Sequence, residues 1–247
     1  MFQSHPVFNE PEPDAIIWRY MDFAKLVSLI SKRALFFCRV SKLKDPWEGA
    51  WPVKQFEKGD ISPGSAWSYI IKAREMREEC AVSCWHINKG ESDALWRIYS
   101  SGGQGIAIVS TFSNLTESLK NYVPSIFIGK VQYLDYEYAS LPKGNIYWPV
   151  TCKRLSFVHE NELRAVIREY PGSQNEPQRK FCHTMGEMVP VDIERLITSI
   201  YVSPEAEDWF VELVKKILEP VGLAKLCQKS LLLNDPPQDL IIKEYTV

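Results

Sequence analysis

The sequence predicts an α+β fold, with a mixed or split, mostly antiparallel sheet flanked by helices. Short apolar runs with the alternation typical of strands recur along the chain, separated by segments with helical spacing. The two kinds of segment do not alternate strictly, as a doubly wound sheet requires. The 247 residues can bury one substantial core. We therefore predict an irregular lead-in over residues 1–14 and a single domain over residues 15–247.

Composition and charge narrow the class of protein. The net charge is −2, with 29 basic and 31 acidic residues, so no overall field favours binding to nucleic acid. No apolar stretch approaches the ~20 residues that cross a bilayer, and the N-terminal residues do not resemble a signal peptide. We expect a cytoplasmic protein without membrane association, and its oligomeric state stays open. Six cysteines without a Cys-x-x-Cys pair predict reduced thiols rather than a disulfide framework.

The pattern of apolar residues places the individual elements. Ile16 to Tyr20 predicts the first strand, and Asp22 can cap the helix that follows it. Asn114, with Glu117 three residues later, fits the start of another helix. Further strands are predicted over residues 34–40, 80–86, 106–110, 126–134, 160–168, 196–203 and 227–231. Further helices are predicted over residues 65–79, 91–100 and 204–218, with a loop over residues 52–64.

The most informative run is charged on one side and apolar on the other. Glu160, Glu162 and Arg164 occupy alternate positions of the strand predicted over residues 160–168, so they share one face. The apolar residues between and after them face the other way. A charged triplet on a largely apolar strand is costly unless it is solvated, mutually paired or used in chemistry. A search for enzymatic activity therefore starts at this run.

Three stretches of the chain share a pattern with a known family. They are Phe37-x-Arg39-x-Ser41-x-Leu43-x-Asp45-Pro-Trp-Glu48-Gly49, then Ser83-Cys-Trp-His86 with Glu91-Ser-x-Ala-Leu-Trp96-x-x-Tyr99-Ser100 and Gly105-Ile-Ala-Ile108, then Lys153-Arg154-x-x-Phe157-x-x-Glu160-x-Glu162-x-Arg164. Together they resemble the bacterial domain of unknown function family 2971, over about Trp18 to Leu232. That family has no settled biochemical activity, so the resemblance leaves the function open.

A more distant resemblance rests on the order of three elements. They are Arg19 on an early strand, Ser110-Thr111-Phe112-Ser113 on a middle strand and Glu160-x-Glu162 on a late strand. The order is similar to that of ADP-ribosyltransferases, which use an Arg or His, then a Ser-Thr-Ser or Tyr element, then a Glu. Phe112 departs from this pattern at the third serine, although Ser113 follows it directly. The gap between Arg19 and Ser110 also requires inserted elements.

The transferase resemblance implies NAD as the cofactor and a role for each residue. Glu162 would be the catalytic carboxylate, because it can stabilise the positive charge that builds on the ribose as the nicotinamide bond breaks. Glu160 would orient or deprotonate the accepting nucleophile. Arg19 would hold a phosphate or ribose, and Ser110 would position the ligand. The remaining candidates for cofactor contact are Tyr20, Thr111, Trp96 and Tyr99.

Two hypotheses of other classes stay open. A non-catalytic interaction or regulatory protein would carry the acids as a solvated, ion-paired face. A metal-dependent nuclease would gather carboxylates around Mg²⁺. Those carboxylates would be Asp45, Glu48, Glu160 and Glu162. The transferase hypothesis expects no metal and instead needs Arg19, Ser110 and Glu162 in one cleft. Its ligand is a nucleotide, and its acceptor is an unknown protein or nucleic acid.

Overall fold

The chain folds as predicted, as an α+β structure. The computed structural model describes residues 1–52, 54–57, 63–170, 172 and 178–235. Over these residues, seven α-helices flank a mostly antiparallel sheet of nine strands. No helix in this part of the chain is long and apolar enough to cross a membrane. The predicted domain limit at residue 247 and part of the loop predicted over residues 52–64 lie outside the described residues.

The predicted elements occur in order along the described chain, but four further short elements were not predicted, over residues 54–57, 152–154, 186–190 and 193–196. The first of them lies within the loop predicted over residues 52–64. The strands are β1 (Ile16–Asp22), β2 (Ala34–Arg39), β3 (Cys80–Ile87), β4 (Gly105–Thr111), β5 (Phe127–Lys130), β6 (Gln132–Leu134), β7 (Cys152–Arg154), β8 (Glu162–Arg168), β9 (Gly186–Pro190), β10 (Ser199–Val202) and β11 (Cys227–Lys229). The α-helices are α1 (Phe23–Lys32), α2 (Lys54–Glu57), α3 (Pro63–Glu79), α4 (Asp93–Tyr99), α5 (Phe112–Ser118), α6 (Ile193–Leu196) and α7 (Asp208–Leu218). Short 3₁₀ helices span Val40–Lys42, Ser101–Gly103, Trp148–Thr151, Leu155–Glu160, Glu219–Val221 and Ala224–Leu226.

The sheet runs in the order β11-β10-β4-β1-β3-β2-β9, and β8 pairs with both β3 and β5. Only the β10–β11 pair of this sheet is parallel among the described strands. The segment predicted as one interrupted strand over residues 126–134 divides between β5 and β6. The break falls at Val131, because Gly129 and Lys130 both lie within β5. β6 then joins β7 in a separate parallel pair, so the chain passes from one sheet to another.

β3 carries two partners along one of its edges. β1 pairs with it at Ile87 and His86, whereas β2 pairs with it at Val82 and Ala81. β8 takes the other edge over the whole length of the strand. Along this edge, residues 83–85 of β3 therefore pair with neither β1 nor β2. We call the opening between β1 and β2 the strand gap.

The two faces of the sheet have different surroundings. α1, α5, α6 and α7 pack their apolar side chains against one face and form the main core. α3 and α4 cover parts of the opposite face, which we call the site face. Leu163, Ala165 and Ile167 of β8 lie in the main core, as the alternation predicts. Glu162 and Arg164 lie on the site face.

Helix starts were predicted with mixed success. Asp22 caps α1 as predicted, since its side chain accepts a hydrogen bond from the amide of Lys25 at 2.8 Å. The predicted cap at Asn114 is wrong: α5 begins at Phe112, and the Thr111 hydroxyl accepts the amide of Asn114 at 3.1 Å. Threonine fits both roles at this position, because it is favoured in strands and also caps helices.

The last long helix begins later than the sequence indicates. α7 starts at Asp208 rather than Pro204. Ser203 explains the delay, because its carbonyl accepts the amide of Ala206 at 3.0 Å and its hydroxyl accepts the amide of Glu205 at 3.3 Å. These bonds form a turn that competes with helix formation.

Candidate functional site

Five charged side chains converge on the site face and form what we call the ionic cluster. Glu162 and Arg164 come from β8, and Lys153 comes from β7. Glu160 ends the 3₁₀ helix that precedes β8, and Glu48 lies in the turn after β2. All except Glu160 are buried, so the cluster depends on internal pairing rather than on solvent.

Arg164 is the centre of the ionic cluster and is only 1% exposed. Its Nε and Nη2 atoms donate to the two oxygens of Glu162 at 2.6 and 2.9 Å. Its Nη1 atom donates at 2.9 Å both to Glu48 and to the carbonyl of Val150. This two-pronged geometry is the strongest form of arginine–carboxylate contact. Arg164 therefore fixes the orientation of Glu162.

Lys153 joins the three acids of the ionic cluster. Its Nζ atom lies 2.6 Å from Glu160, 3.0 Å from Glu48 and 3.5 Å from Glu162. Three carboxylates thus face two cations, Lys153 and Arg164, which leaves one excess negative charge. The Glu160 side chain retains 20% of its surface, so it is the acid most open to a ligand.

Glu160 does not belong to β8, contrary to the predicted strand over residues 160–168. The strand begins at Glu162 because Asn161 adopts a left-handed conformation, with φ 35°. Its side-chain amide donates to the carbonyl of Ile87 at 2.6 Å. The amide of Glu162 donates to the Tyr133 hydroxyl at 2.8 Å. The turn is therefore anchored on both sides, and the two acids still meet at Lys153.

The acids of the ionic cluster differ in protonation behaviour. Burial alone would raise the pKa of Glu162, but Arg164 and then Lys153 outweigh burial and lower it to about 2. Burial also dominates at Glu160, where it raises the pKa despite the bond to Lys153. Burial opposes the charge on Arg164, yet Glu162 and Glu48 raise its pKa. The site thus combines a permanently ionised carboxylate with a second one that takes up a proton more readily.

The lowered pKa of Glu162 predicts acid sensitivity. A group with a depressed folded pKa stabilises the fold above its unfolded value, near 4.5, and loses that contribution as the pH falls towards 2. The loss amounts to about 3 kcal/mol. The raised pKa of Glu160 has the opposite effect on stability: its contribution is present at low pH and is lost as the pH rises above that window. Denaturant unfolding from pH 6 downwards should show a decline confined to this window, and it should be smaller in Glu162→Gln. An unchanged decline in the variant would contradict the assignment.

An aromatic wall stands beside the ionic cluster, formed by Tyr20, Trp96 and Tyr99. Tyr20 and Trp96 meet edge to face at 5.0 Å, and the Tyr20 hydroxyl accepts the amide of Ser92 at 2.8 Å. Tyr99 is partly exposed. Burial raises its pKa to about 12, with further contributions from Cys84 and from the acids of the ionic cluster. The wall and the cluster therefore share one region of the site face.

His86 lies between the aromatic wall and the ionic cluster. It is paired with Trp18 on one side and with Glu162 on the other, and only 7% of it is exposed. Its Nδ1 atom lies 2.6 Å from the carbonyl oxygen of Glu160. Its Nε2 atom is buried and has no hydrogen-bond partner. Burial lowers the pKa of His86, so the ring is neutral near pH 7.

Arg19 extends into the strand gap. It donates to the Ser83 hydroxyl and, at 3.0 Å, to the carbonyl of Phe36. No carboxylate of the described residues lies within ion-pair distance of it. Burial lowers the pKa of Arg19, and Cys84 and Tyr99 oppose that effect. The guanidinium also lies over the Trp85 ring, 5.7 Å from its centroid. In the part of the chain that the structure describes, Arg19 is therefore a partly buried cation with neutral partners.

The two hydroxyl candidates do not line the same cleft. Ser110 is buried opposite Ile17, on the main-core side of β4, and its hydroxyl donates to the carbonyl of Thr111 at 3.4 Å. Thr111 caps α5 with its own hydroxyl. Ser110 and Glu162 consequently project from opposite faces of the sheet, so the expected convergence of Arg19, Ser110 and Glu162 does not occur.

The acids named for a nuclease are each paired with a cation of the chain. Asp45 accepts from Arg154 at 2.7 Å, and the other three face Lys153 and Arg164. In the described part of the chain, no three His, Cys, Asp or Glu side chains are arranged to hold a metal ion. The geometry therefore gives the nuclease hypothesis no support.

Sequence reasoning missed two neighbours of Glu162. Cys84 lies beside its carboxylate and helps to lower its pKa, and the Tyr133 hydroxyl accepts its amide. Cys84 lies opposite Arg164 in the register of β3 and β8. That register depends on which strands pair, which a pattern within a single strand does not reveal. Neither neighbour therefore had a signal in the sequence.

No protein-family model matches the chain, and a comparison with curated proteins also finds no match. Among solved structures, the chain is similar to Thermus sp. 2.9 DarT in complex with NAD+, with 12% identity over 90% of this chain and 96% of that chain and a TM-score of 0.41. It is also similar to Thermus sp. 2.9 DarT in complex with ADP-ribosylated ssDNA, with 12% identity over 86% and 90% and a TM-score of 0.37. Because both TM-scores lie below 0.5, we assign function from the chain's own residues.

Proposed function

We propose that this protein binds NAD across the strand gap, with the phosphates at Arg19 and the reacting groups on the site face, and transfers its ADP-ribose group to an acceptor. Arg19 carries the proposal, because buried cations in proteins are normally paired with an anion. Among the described residues its partners are neutral: Ser83, the carbonyl of Phe36 and the Trp85 ring. The pyrophosphate of a dinucleotide is an anion suited to a planar guanidinium.

The ionic cluster and the aromatic wall support the same proposal. Tyr99 offers an exposed ring against which a nicotinamide can pack, and the buried rings of Tyr20 and Trp96 lie beneath this surface. The excess negative charge of the cluster favours a nearby cation, and its acids lie in the same region as Tyr99. Bond breakage at the nicotinamide produces such a cation on the ribose. An acidic site beside a ring-binding surface therefore suits this chemistry better than it suits hydrolysis at a phosphate.

In the proposed reaction, Glu162 and Glu160 have different roles. The bond between C1′ of the ribose and the nicotinamide nitrogen breaks, and the electron pair leaves with nicotinamide. Glu162, ionised and fixed by Arg164, supplies the negative charge that stabilises the ribosyl cation. The acceptor then forms a new bond to C1′, and its proton passes to Glu160, whose raised pKa suits a proton acceptor.

Nicotinamide release from NAD, measured in the presence of cell lysate, tests this proposal. The lysate supplies the unidentified acceptor. Glu160→Gln should lower the rate by about 100-fold or more, since it removes a positioned proton acceptor. Glu194→Gln is the matched control, because Glu194 is an exposed acid that pairs with Arg33 at the surface. Glu162→Gln should also lower the rate, but it leaves Arg164 without a full set of partners and needs a parallel measurement of stability.

The outcomes separate the transferase from its main alternative. Full activity in Glu160→Gln would remove Glu160 from the mechanism. Absence of nicotinamide release by the wild type would favour the interaction or regulatory protein. One observation already fits that alternative, since every acid of the ionic cluster has a cationic partner within the chain.

A further inference from the structure

His86 has a hydrogen-bonding atom that the fold does not use. Buried polar atoms almost always have a partner, and the exceptions call for an explanation. The Nε2 atom of His86 is buried without one, although the ring is held firmly on its other side. Nothing in the proposed transfer reaction has so far engaged this nitrogen.

The other ring nitrogen determines what Nε2 can do. A carbonyl oxygen can only accept a hydrogen bond, so the 2.6 Å contact with the carbonyl of Glu160 places the proton on Nδ1. In a neutral ring Nε2 then carries a lone pair and acts as an acceptor. The missing partner is therefore a donor, an N–H or O–H group.

The surroundings limit which donor can reach it. His86 lies on the site face, with the Tyr20 ring at 6.3 Å and Glu162 opposite it on β8. Nε2 has almost no exposed surface, so a donor reaches it only when a neighbouring side chain turns aside. A small planar group on the edge of an aromatic ring needs the least displacement of neighbours to reach Nε2. The nucleophile of a macromolecular acceptor is much less suited to it.

We propose that Nε2 of His86 accepts a hydrogen bond from the carboxamide N–H of the nicotinamide group, so that the site selects nicotinamide dinucleotides over their nicotinic acid forms. This inference rests on the proposed binding of NAD. A nicotinic acid group has a carboxylate in place of the amide, and a carboxylate has no N–H to offer. It would direct its lone pairs at the lone pair of Nε2. It would also add negative charge beside a cluster that already has an excess of it.

Paired titrations with NAD and nicotinic acid adenine dinucleotide test the selection. Wild-type protein, titrated on ice without lysate, should prefer NAD by about 10- to 100-fold, the range set by one unmet buried hydrogen bond. His86→Phe keeps a ring of similar size but lacks the acceptor, so the preference should fall to about 3-fold or less. Asn161→Gly is the matched control. It tolerates the left-handed backbone and removes the other side-chain contact between this turn and β3, but leaves Nε2 in place.

The ratio of the two affinities distinguishes recognition from a structural role. A purely structural His86 would weaken both ligands equally in His86→Phe and leave the ratio unchanged, which would overturn the inference. Equal binding of both ligands by the wild type would overturn it while leaving the proposed function intact. If neither ligand bound to the wild type, the proposed function would be rejected as well. Retention of the preference in Asn161→Gly, with loss in His86→Phe, would support the inference.

A spectroscopic measurement gives an independent result on folded protein. The ¹⁵N shift of His86 Nε2 should be that of an unprotonated ring nitrogen in the free protein. It should move towards the hydrogen-bonded range on addition of NAD and stay in place on addition of nicotinic acid adenine dinucleotide. A protonated Nε2 in the free protein, or equal shifts with both ligands, would contradict the inference.

Discussion

Arg19→Met is expected to lose about 2–4 kcal/mol of NAD binding free energy. The reason is that a guanidinium without a carboxylate partner in the described structure is available to a phosphate, whereas methionine has no donor. The same substitution should change the free energy of unfolding by no more than about 1 kcal/mol. Loss of the contacts to Ser83 and Phe36 is offset by relief from burying a charge. Calorimetric titration with NAD and denaturant unfolding measure the two effects.

Arg33→Met is the control for this prediction. Arg33 is exposed and pairs with Glu194 at the surface, so its loss should affect neither binding nor stability appreciably. If Arg19→Met instead lowered stability by several kcal/mol and left NAD affinity intact, Arg19 would be a structural cation that closes the strand gap. The two results are opposite in both measurements, so they cannot be confused.

Arg164→Met is expected to be the most destabilising substitution considered. It leaves Glu48 and Glu162 buried without their main cation, and breaking a buried pair in this way costs about 3–5 kcal/mol. For a chain of this size the cost corresponds to a fall in Tm of about 6–20 °C. Thermal unfolding followed by circular dichroism measures it. The loss should shrink at low pH, where protonation removes the unpaired charges.

Arg168→Met provides a control from the same strand. Arg168 lies two strand repeats beyond Arg164 and pairs with Glu79, but that pair is partly exposed, so its loss should cost about 1 kcal/mol or less. Replacing Arg164 together with Glu48 and Glu162 by methionine should recover much of the stability, because no charge is then left unpaired. Equal losses from Arg164→Met and Arg168→Met would show that the ionic cluster is not a stabilising centre.

The sequence predicted features that depend on a single segment. The alternation in β8 correctly placed its apolar residues in the main core and Arg164 on the opposite face, because side-chain direction in a strand has a period of two. Asp22 was identified as a cap from its position before an amphipathic helix. The fold class followed from the irregular succession of such elements.

Features that depend on strand pairing were not predictable. Arg19 and Ser110 lie on the same side of the sheet because β1 and β4 pair with Ile17 opposite Ser110, a register that neither strand specifies alone. Glu160 left the predicted strand because Asn161 turns the backbone, and asparagine is one of the few residues that adopt this conformation readily. The missing partner of His86 depends on the packing around it, which no local pattern encodes.

β3 has a mechanical role that its position implies. Among the described strands, only β3 pairs with all three groups of strands in the sheet. The groups β11-β10-β4-β1 and β2-β9 lie along one edge of β3, and the group β8-β5 lies along the other. The sheet thus consists of three groups of strands that are joined through β3. A small rotation of these groups about β3 would widen or narrow the strand gap without breaking a strand pair. Ligand entry beside Arg19 would therefore require only a bending motion of an intact sheet. A bound dinucleotide would then hold the groups that contain β1 and β2 together.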